Sequence, residues 1–198
     1  MKIVAATKNP GKIKEIAQIL SPFGVEVISQ ADAEIDVDID ETGSTFLENA
    51  LIKARAVAML CDDVVLADDS GLCVDALDGK PGVYSARYGG DIPHSEKIKM
   101  LLSELSDKKD RKARFECVVA LVLPDGKEYT FSGACHGHIM EEPKGENGFG
   151  FDPVFYSDEL KCGFAECSDE EKNVVSHRGK ALLKLKENFS DIFPKEEG

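Results

Sequence analysis

Apolar residues recur along this chain with two periods. Lys2 to Ala6 is a nearly unbroken apolar run, as in a buried strand, whereas Ile13, Ile16, Ala17, Ile19 and Leu20 share the spacing of one helix face. Between them Asn9 is placed to cap the helix and Pro10 suits its first position. Val25 to Ile28 reads as a second strand. Ser44 to Leu60 has the strongest helical pattern, opened by the capping box Thr45-x-x-Glu48. Val64 to Ala67 then reads as a short buried strand ending at Asp68-Asp69-Ser70-Gly71. Ser95 to Arg111 reads as a helix and a solvated loop. Arg114 to Leu123 and Lys127 to His138 form a predicted hairpin across Pro124-Asp125-Gly126. A glycine-rich loop, another strand and a helix from Ser176 to Asn188 complete the chain. Strands that alternate with helices early and pair as a hairpin later predict an α/β fold with a mixed sheet. We expect one domain over 1–198, with two lobes and a cleft between them.

Composition narrows the function classes. A chain of 198 residues, 42% hydrophobic and 31% charged, can bury a core without metal clips. With 24 Lys+Arg against 37 Asp+Glu the formal charge is −13, which argues against a nucleic-acid polymer as partner. Small anionic substrates remain open, because a local pocket or a metal ion reverses the local field. No run approaches the ~20 apolar residues of a membrane helix, and Ile3 to Ala6 is too brief for a signal-peptide core. The cysteines at 61, 73, 117, 135, 162 and 167 contain no C-x-x-C pair. They are expected as reduced thiols in a cytoplasmic protein, without zinc.

Several segments could carry chemistry. Thr7 to Lys12 joins a strand to a helix start, a geometry that favours phosphate, or that is simply a capped turn with a solvated lysine. It is not a P-loop: Ala6 and Ile13 stand where glycine and Ser/Thr would be required. The run Glu34 to Glu41 alternates acidic and apolar residues, for the most part as on a solvated edge strand, but Asp40 and Glu41 adjoin the helix at Ser44 and could face a site. An EF-hand is excluded by Glu41 and Leu47 at the glycine and bidentate-glutamate positions. Lys53 falls on the apolar arc of its helix, so it either meets a buried anion or snorkels out. Asp68-Asp69 could hold magnesium or activate water, or serve as an ordinary turn. In Gly145 to Pro153 three glycines let backbone approach a flat ligand, and Phe149 could stack on it. Ser176 caps the last helix, which places His177 and Arg178 in its first turn. Cations are unfavourable there, so an anionic or electron-rich partner is expected.

Taken in order, the stretches Thr7-x-Asn9-x-x-Lys12, Glu41-Thr42-Gly43-x-Thr45-Phe46, Asn49-Ala50-x-x-Lys53-Ala54 and Ala67 to Leu72 resemble the inosine triphosphate pyrophosphatase family. So do Pro81 to Tyr88, Gly148-Phe149-Gly150-Phe151-Asp152-Pro153, and Glu171-Lys172-Asn173 through Ser176-His177-Arg178. Each motif is weak alone, but seven in sequence cover nearly the whole chain. The resemblance implies an elongated mixed β-sheet flanked by helices, a homodimer, and Mg2+-dependent hydrolysis of dITP, ITP and XTP to monophosphate and pyrophosphate. It implies Asp69 as base and metal ligand, Asp40 as the other magnesium ligand, and Lys12 and Lys53 as catalytic cations. Thr7, Lys8, Asn9, Pro10, Gly11 and Lys12 correspond to triphosphate contacts and Ser70 to a substrate contact. Phe149, Gly150, Phe151, Asp152, Lys172, His177 and Arg178 correspond to base and nucleotide contacts. Lys8 replaces a frequent glycine and Asp40 a frequent glutamate. Two alternatives are a Maf-type pyrophosphatase for modified pyrimidines and a non-catalytic nucleotide-binding protein.

Overall fold

The computed structural model describes residues 1–194. Strand β1 (Lys2–Ala5) leads through a loop into helix α1 (Pro10–Leu20), and β2 (Glu26–Ser29) returns parallel to β1. Asn9 caps α1 as its position predicts, its side chain accepting from Gly11 and Lys12 N–H. Helix α2 (Phe46–Ala58) precedes β3 (Val64–Val74), which pairs parallel to β1 and antiparallel to both β4 (Lys80–Pro81) and β5 (Lys112–Val122). Helix α3 (His94–Glu104) lies between β4 and β5 in sequence. The hairpin of β5 and β6 (Glu128–Ile139) is followed by β7 (Phe155–Ser157), β8 (Cys162–Gly163), α4 (Asp169–Val175), α5 (His177–Glu187) and the short α6 (Phe189–Ile192). One sheet of order β2-β1-β3-β5-β6-β7-β8, with β4 beside β3, bears the helices, so the expected mixed α/β fold is observed.

Three apolar clusters hold the helices. Ile3, Leu66 and Val119 pack with Ile16 and Leu20 of α1 and Leu182 and Leu185 of α5. Val4, Val65 and Ala120 look the other way, onto Ala50, Ala54 and Val57 of α2. Farther along β3 and β5, Leu72 and Phe115 meet Leu101 of α3 and Phe155 and Phe164. Among the described residues, no helix is long and apolar enough to cross a membrane.

Three local expectations are corrected. Strand β3 does not end at Ala67; it runs through Asp68-Asp69-Ser70-Gly71 to Val74, because β5 pairs with it from Val122 to Ala113. A glycine is needed inside it, since a Cβ at Gly71 would lie 2.2 Å from the Gly82 carbonyl oxygen. The acidic run is not an edge strand: a turn closed by Ile35 N–H donating to Gln30 O diverts it from the sheet. The alternation nevertheless persists as burial, with Ile35 buried between exposed Glu34 and Asp36. Finally, Cys162 and Cys167 are joined in a disulfide rather than reduced. The turn after β8 brings a C-x4-C spacing together.

Helix α2 carries several site residues, and its start is fixed locally. Thr45 Oγ1 accepts from Glu48 N–H at 3.1 Å, while Glu48 Oε2 accepts from Thr45 N–H at 3.2 Å. Thr45→Ala is expected to cost about 1 kcal/mol. Urea unfolding would show a lower midpoint with an unchanged slope; an unchanged midpoint would remove the box as a determinant.

Candidate active site

The loop between β1 and α1 forms one end of the site. Asn9 Oδ1 accepts from Gly11 N–H (2.9 Å) and Lys12 N–H (3.3 Å), and Asn9 N–H donates to Thr7 Oγ1 (3.2 Å). Pro10 starts the helix. Gly11 lies under the Phe149 ring, where a Cβ would come within 2.7 Å. Lys12 reaches across the sheet, its Nζ 3.0 Å from Asp68 Oδ2. Lys8 differs: its ammonium pairs with exposed Asp38 at 2.5 Å, so this part of the acidic run ties down the loop. Thr7, Lys8, Asn9 and Lys12 border a cavity of about 260 Å³ shared with Glu41 and Lys53.

Lys53 resolves its two readings in favour of buried anions. Its side chain is 11% exposed, and Nζ lies 2.5 Å from Glu41 Oε1 and 3.2 Å from Asp69 Oδ1. Arg87 approaches the second Glu41 oxygen at 3.0 Å. Asn49, one turn before Lys53, donates to Asp69 Oδ2 (3.2 Å) and accepts from Gly43 N–H (2.8 Å), tying the Glu41 segment to β3. Burial lowers the affinity of Lys53 for its proton, but Asp69, Asp68 and Glu41 outweigh it and raise the pKa. Burial pushes the Asp69 carboxyl up, and the Glu41 charge adds to this against the pull of Lys53. A carboxylate raised in this way suits a base. Asp40, expected beside Asp69, is instead exposed, and Glu41 occupies the place. Alternation along the run turns these neighbours in opposite directions, Glu41 toward Lys53 and Asp40 toward solvent.

At the other end the site is built from buried charges. Lys172 Nζ contacts Asp152 Oδ2 at 2.6 Å and Glu15 Oε1 at 2.8 Å. Arg178 pairs with Glu15 through Nη1 and with Asp68 Oδ2 through Nη2 at 2.9 Å, and donates to Ser70 Oγ at 3.0 Å. These carboxylates are the anionic partners that its position in the first turn of α5 demanded. Asp152 Oδ2 also accepts Phe149 N–H at 2.8 Å, closing the turn at Gly148-Phe149-Gly150. The Phe149 ring has Lys172 Nζ 5.1 Å and Arg178 Cζ 5.8 Å from its centroid. Phe151 is buried edge-on to Tyr88. A cavity of about 310 Å³ brings together Asn9, Lys12, Glu41, Asp69, Ser70, Phe149, Gly150, Phe151, Asp152, Lys172, His177 and Arg178.

Glu15 escaped the sequence reading altogether, whereas Asp68, Glu41 and Arg87 lay in stretches it singled out without a role of their own. Glu15 left a trace, because it projects within roughly 40° of Ile19 on α1, the same charge-beside-apolar signal that exposed Lys53. Arg87 arrives from a loop, within the stretch Pro81 to Tyr88 that carries part of the family resemblance.

His177 is 5% exposed and stacks on Phe115, with ring centroids 4.8 Å apart. Its Nδ1 has no hydrogen-bond partner among the described residues. Burial, reinforced by Arg178 and Lys172, holds its pKa well below 6.5. The unfolded chain therefore takes up a proton that the folded one refuses. The resulting stability is complete above pH 6.5 and declines below it, by up to about 1.4 kcal/mol per pH unit. His177→Gln is expected to flatten the loss of unfolding free energy between about pH 7 and pH 5. Parallel wild-type and variant curves in urea titrations would reject this.

The same combination of fold and motifs recurs in known proteins. The Ham1 family model matches residues 3–188. A dITP/XTP pyrophosphatase of Bacillus anthracis is 47% identical over 198 residues, covering 97% of this chain and 98% of that protein. The Bacillus subtilis (strain 168) dITP/XTP pyrophosphatase is 48% identical, covering 92% and 93%. The structure of the Staphylococcus aureus Ham1 protein aligns with a TM-score of 0.86 at 41% identity, covering 97% of this chain and all of that one. Sequence and architecture thus agree over nearly the full length, and this chain belongs to the Ham1 family.

Proposed function

We propose that this protein hydrolyses non-standard purine nucleoside triphosphates (dITP, ITP and XTP) to the monophosphate and pyrophosphate. The observation that carries this reading is the placement of the Lys53-bridged Glu41 and Asp69 carboxylates between a phosphate-side lysine, Lys12, and a base-side set of Phe149, Asp152, Lys172 and Arg178. Relatives of nearly equal length and close to half identity are dITP/XTP pyrophosphatases. A homodimer and a cytoplasmic location belong to the same reading, through the resemblance in sequence.

The residues fit a hard divalent cation. Glu41 and Asp69 present oxygen donors to one point, where Lys53 already compensates their mutual repulsion. Among the described residues there is no cluster of three or more His, Cys, Asp or Glu side chains suited to a metal. One or two carboxylates completed by substrate phosphates is the usual magnesium arrangement. We therefore assign Mg2+ to Glu41 and Asp69 rather than to Asp40. When bound, magnesium neutralises phosphate charge and polarises the phosphorus–oxygen bonds.

The protein's own groups supply the rest. Asp69, with its raised proton affinity, accepts the proton of water attacking the α-phosphorus. Lys12 and Lys53 stabilise the charge that develops on the departing pyrophosphate. Phe149 offers a stacking face, and Arg178 donors match an oxygen at purine C6. Adenine, with an amino group there, would set donor against donor.

Incubation with magnesium and dITP, XTP, dATP, dGTP or UTP, resolving pyrophosphate from orthophosphate, tests the class. We expect dITP and XTP to yield monophosphate and pyrophosphate; orthophosphate with diphosphate would overturn attack at the α-phosphorus. Asp69→Asn should lower kcat by at least about 100-fold with the melting temperature retained. Glu41→Gln should raise the magnesium concentration needed for half-maximal rate, whereas Asp40→Asn should leave it unchanged. The reverse result would return the metal to Asp40.

A further inference from the structure

Beneath the cavity runs an unbroken line of alternating charges. It passes from Asp152 to Lys172 (2.6 Å), to Glu15 (2.8 Å), to Arg178, to Asp68 (2.9 Å) and finally to Lys12 (3.0 Å). The five members from Asp152 to Asp68 are buried, so little solvent screens them. Arg178 belongs to the base end of the site and Lys12 to the phosphate end. Asp68 touches both.

The contact is concentrated on one atom. Asp68 Oδ2 receives Arg178 Nη2 at 2.9 Å and Nε at 3.3 Å, Lys12 Nζ at 3.0 Å, Ser70 Oγ at 3.2 Å and the Cys117 thiol at 3.9 Å. The other oxygen, Oδ1, is equally buried but has no hydrogen-bond partner among the described residues. Both cations therefore share a single acceptor, and whatever draws one away changes the hold on the other.

We propose that Asp68 is a positioning residue that couples base recognition by Arg178 to phosphate binding by Lys12. The inference rests on the nucleotide reading above. Phosphate oxygens compete with Asp68 for Lys12. Once Lys12 turns to them, Oδ2 is left to Arg178 and Ser70, and the guanidinium is fixed where the base meets it. The coupling is reciprocal, because a binding free energy shared by two sites acts equally in both directions. Asp68 also restrains the affinity of the phosphate end by neutralising Lys12 before substrate arrives.

The two roles make opposite predictions for one substitution. Asp68→Asn removes the anion that competes for Lys12, so pyrophosphate with magnesium should bind about tenfold more tightly. The same change loosens Arg178, so deoxyinosine should bind about tenfold more weakly. Asp68→Glu keeps the charge and should stay within about threefold of wild type for both probes. Isothermal titration with each probe reads these constants. Opposite shifts in the asparagine variant with recovery by glutamate support the coupling. Shifts of the same sign, or none, in a folded asparagine variant overturn it, because a merely structural residue would weaken both ends.

Should Asp68→Asn fail to show a cooperative thermal transition, wild type decides. Pyrophosphate should bind several-fold more tightly at saturating deoxyinosine than without it, and independent binding would overturn the proposal. If wild type binds neither probe, the nucleotide reading itself fails and this inference falls with it.

Discussion

Side chains of a strand point alternately to opposite faces, and in β3 this constraint separates two adjacent carboxylates. Asp68 looks toward α1 and α5, where Lys12 and Arg178 wait; Asp69 looks toward α2, where Asn49 and Lys53 wait. Had the strand ended at Ala67, as its apolar residues suggest, a turn could have aimed both acids at one point. The continuous pairing with β5 prevents that. One sheet therefore gives the site two electrostatic compartments, one around Lys53 and one around Arg178.

Each compartment satisfies the same requirement: a buried ion needs an opposite charge and hydrogen bonds, or it neutralises. Around Arg178 the anions Glu15 and Asp68 prevail over burial, and the guanidinium pKa is raised. Burial works against the Asp68 charge too, but Arg178, Lys12 and Lys53 hold its carboxyl well below the usual carboxylate range. Around Lys53 the balance differs, because two acids share one lysine and Asp69 is raised. Neighbouring residues of one strand are thus driven in opposite directions, one toward a permanent anion and one toward a higher proton affinity. That division of labour follows from the faces they occupy.

Much of this was legible locally. The Asn9 cap, the Thr45–Glu48 box, the hairpin across Pro124 to Gly126 and the Ser176 cap depend on residues within a few positions of one another, and all stand as predicted. The burial of Lys53 was readable because its helix angle set it among apolar residues. Less legible were the partners. Nothing near Arg178 in the chain shows that Glu15 and Asp68 meet it, because their separations are 163 and 110 residues. Which of Asp40 and Glu41 meets Lys53 was hidden for a related reason: alternation turns adjacent side chains apart, and only packing against α2 selects which one faces inward.

By itself the sequence determined most element types, the caps and the residue chemistry of the site, since these follow from short-range periodicity, backbone propensity and side-chain functional groups. Tertiary structure alone decided that β3 continues through its acids, that Glu41 rather than Asp40 joins Lys53, that Cys162 pairs with Cys167, and that Asp68 stands between Lys12 and Arg178. Those outcomes depend on which distant strands and helices come together. Burial and Coulomb energy are properties of that assembled neighbourhood, not of any stretch of chain.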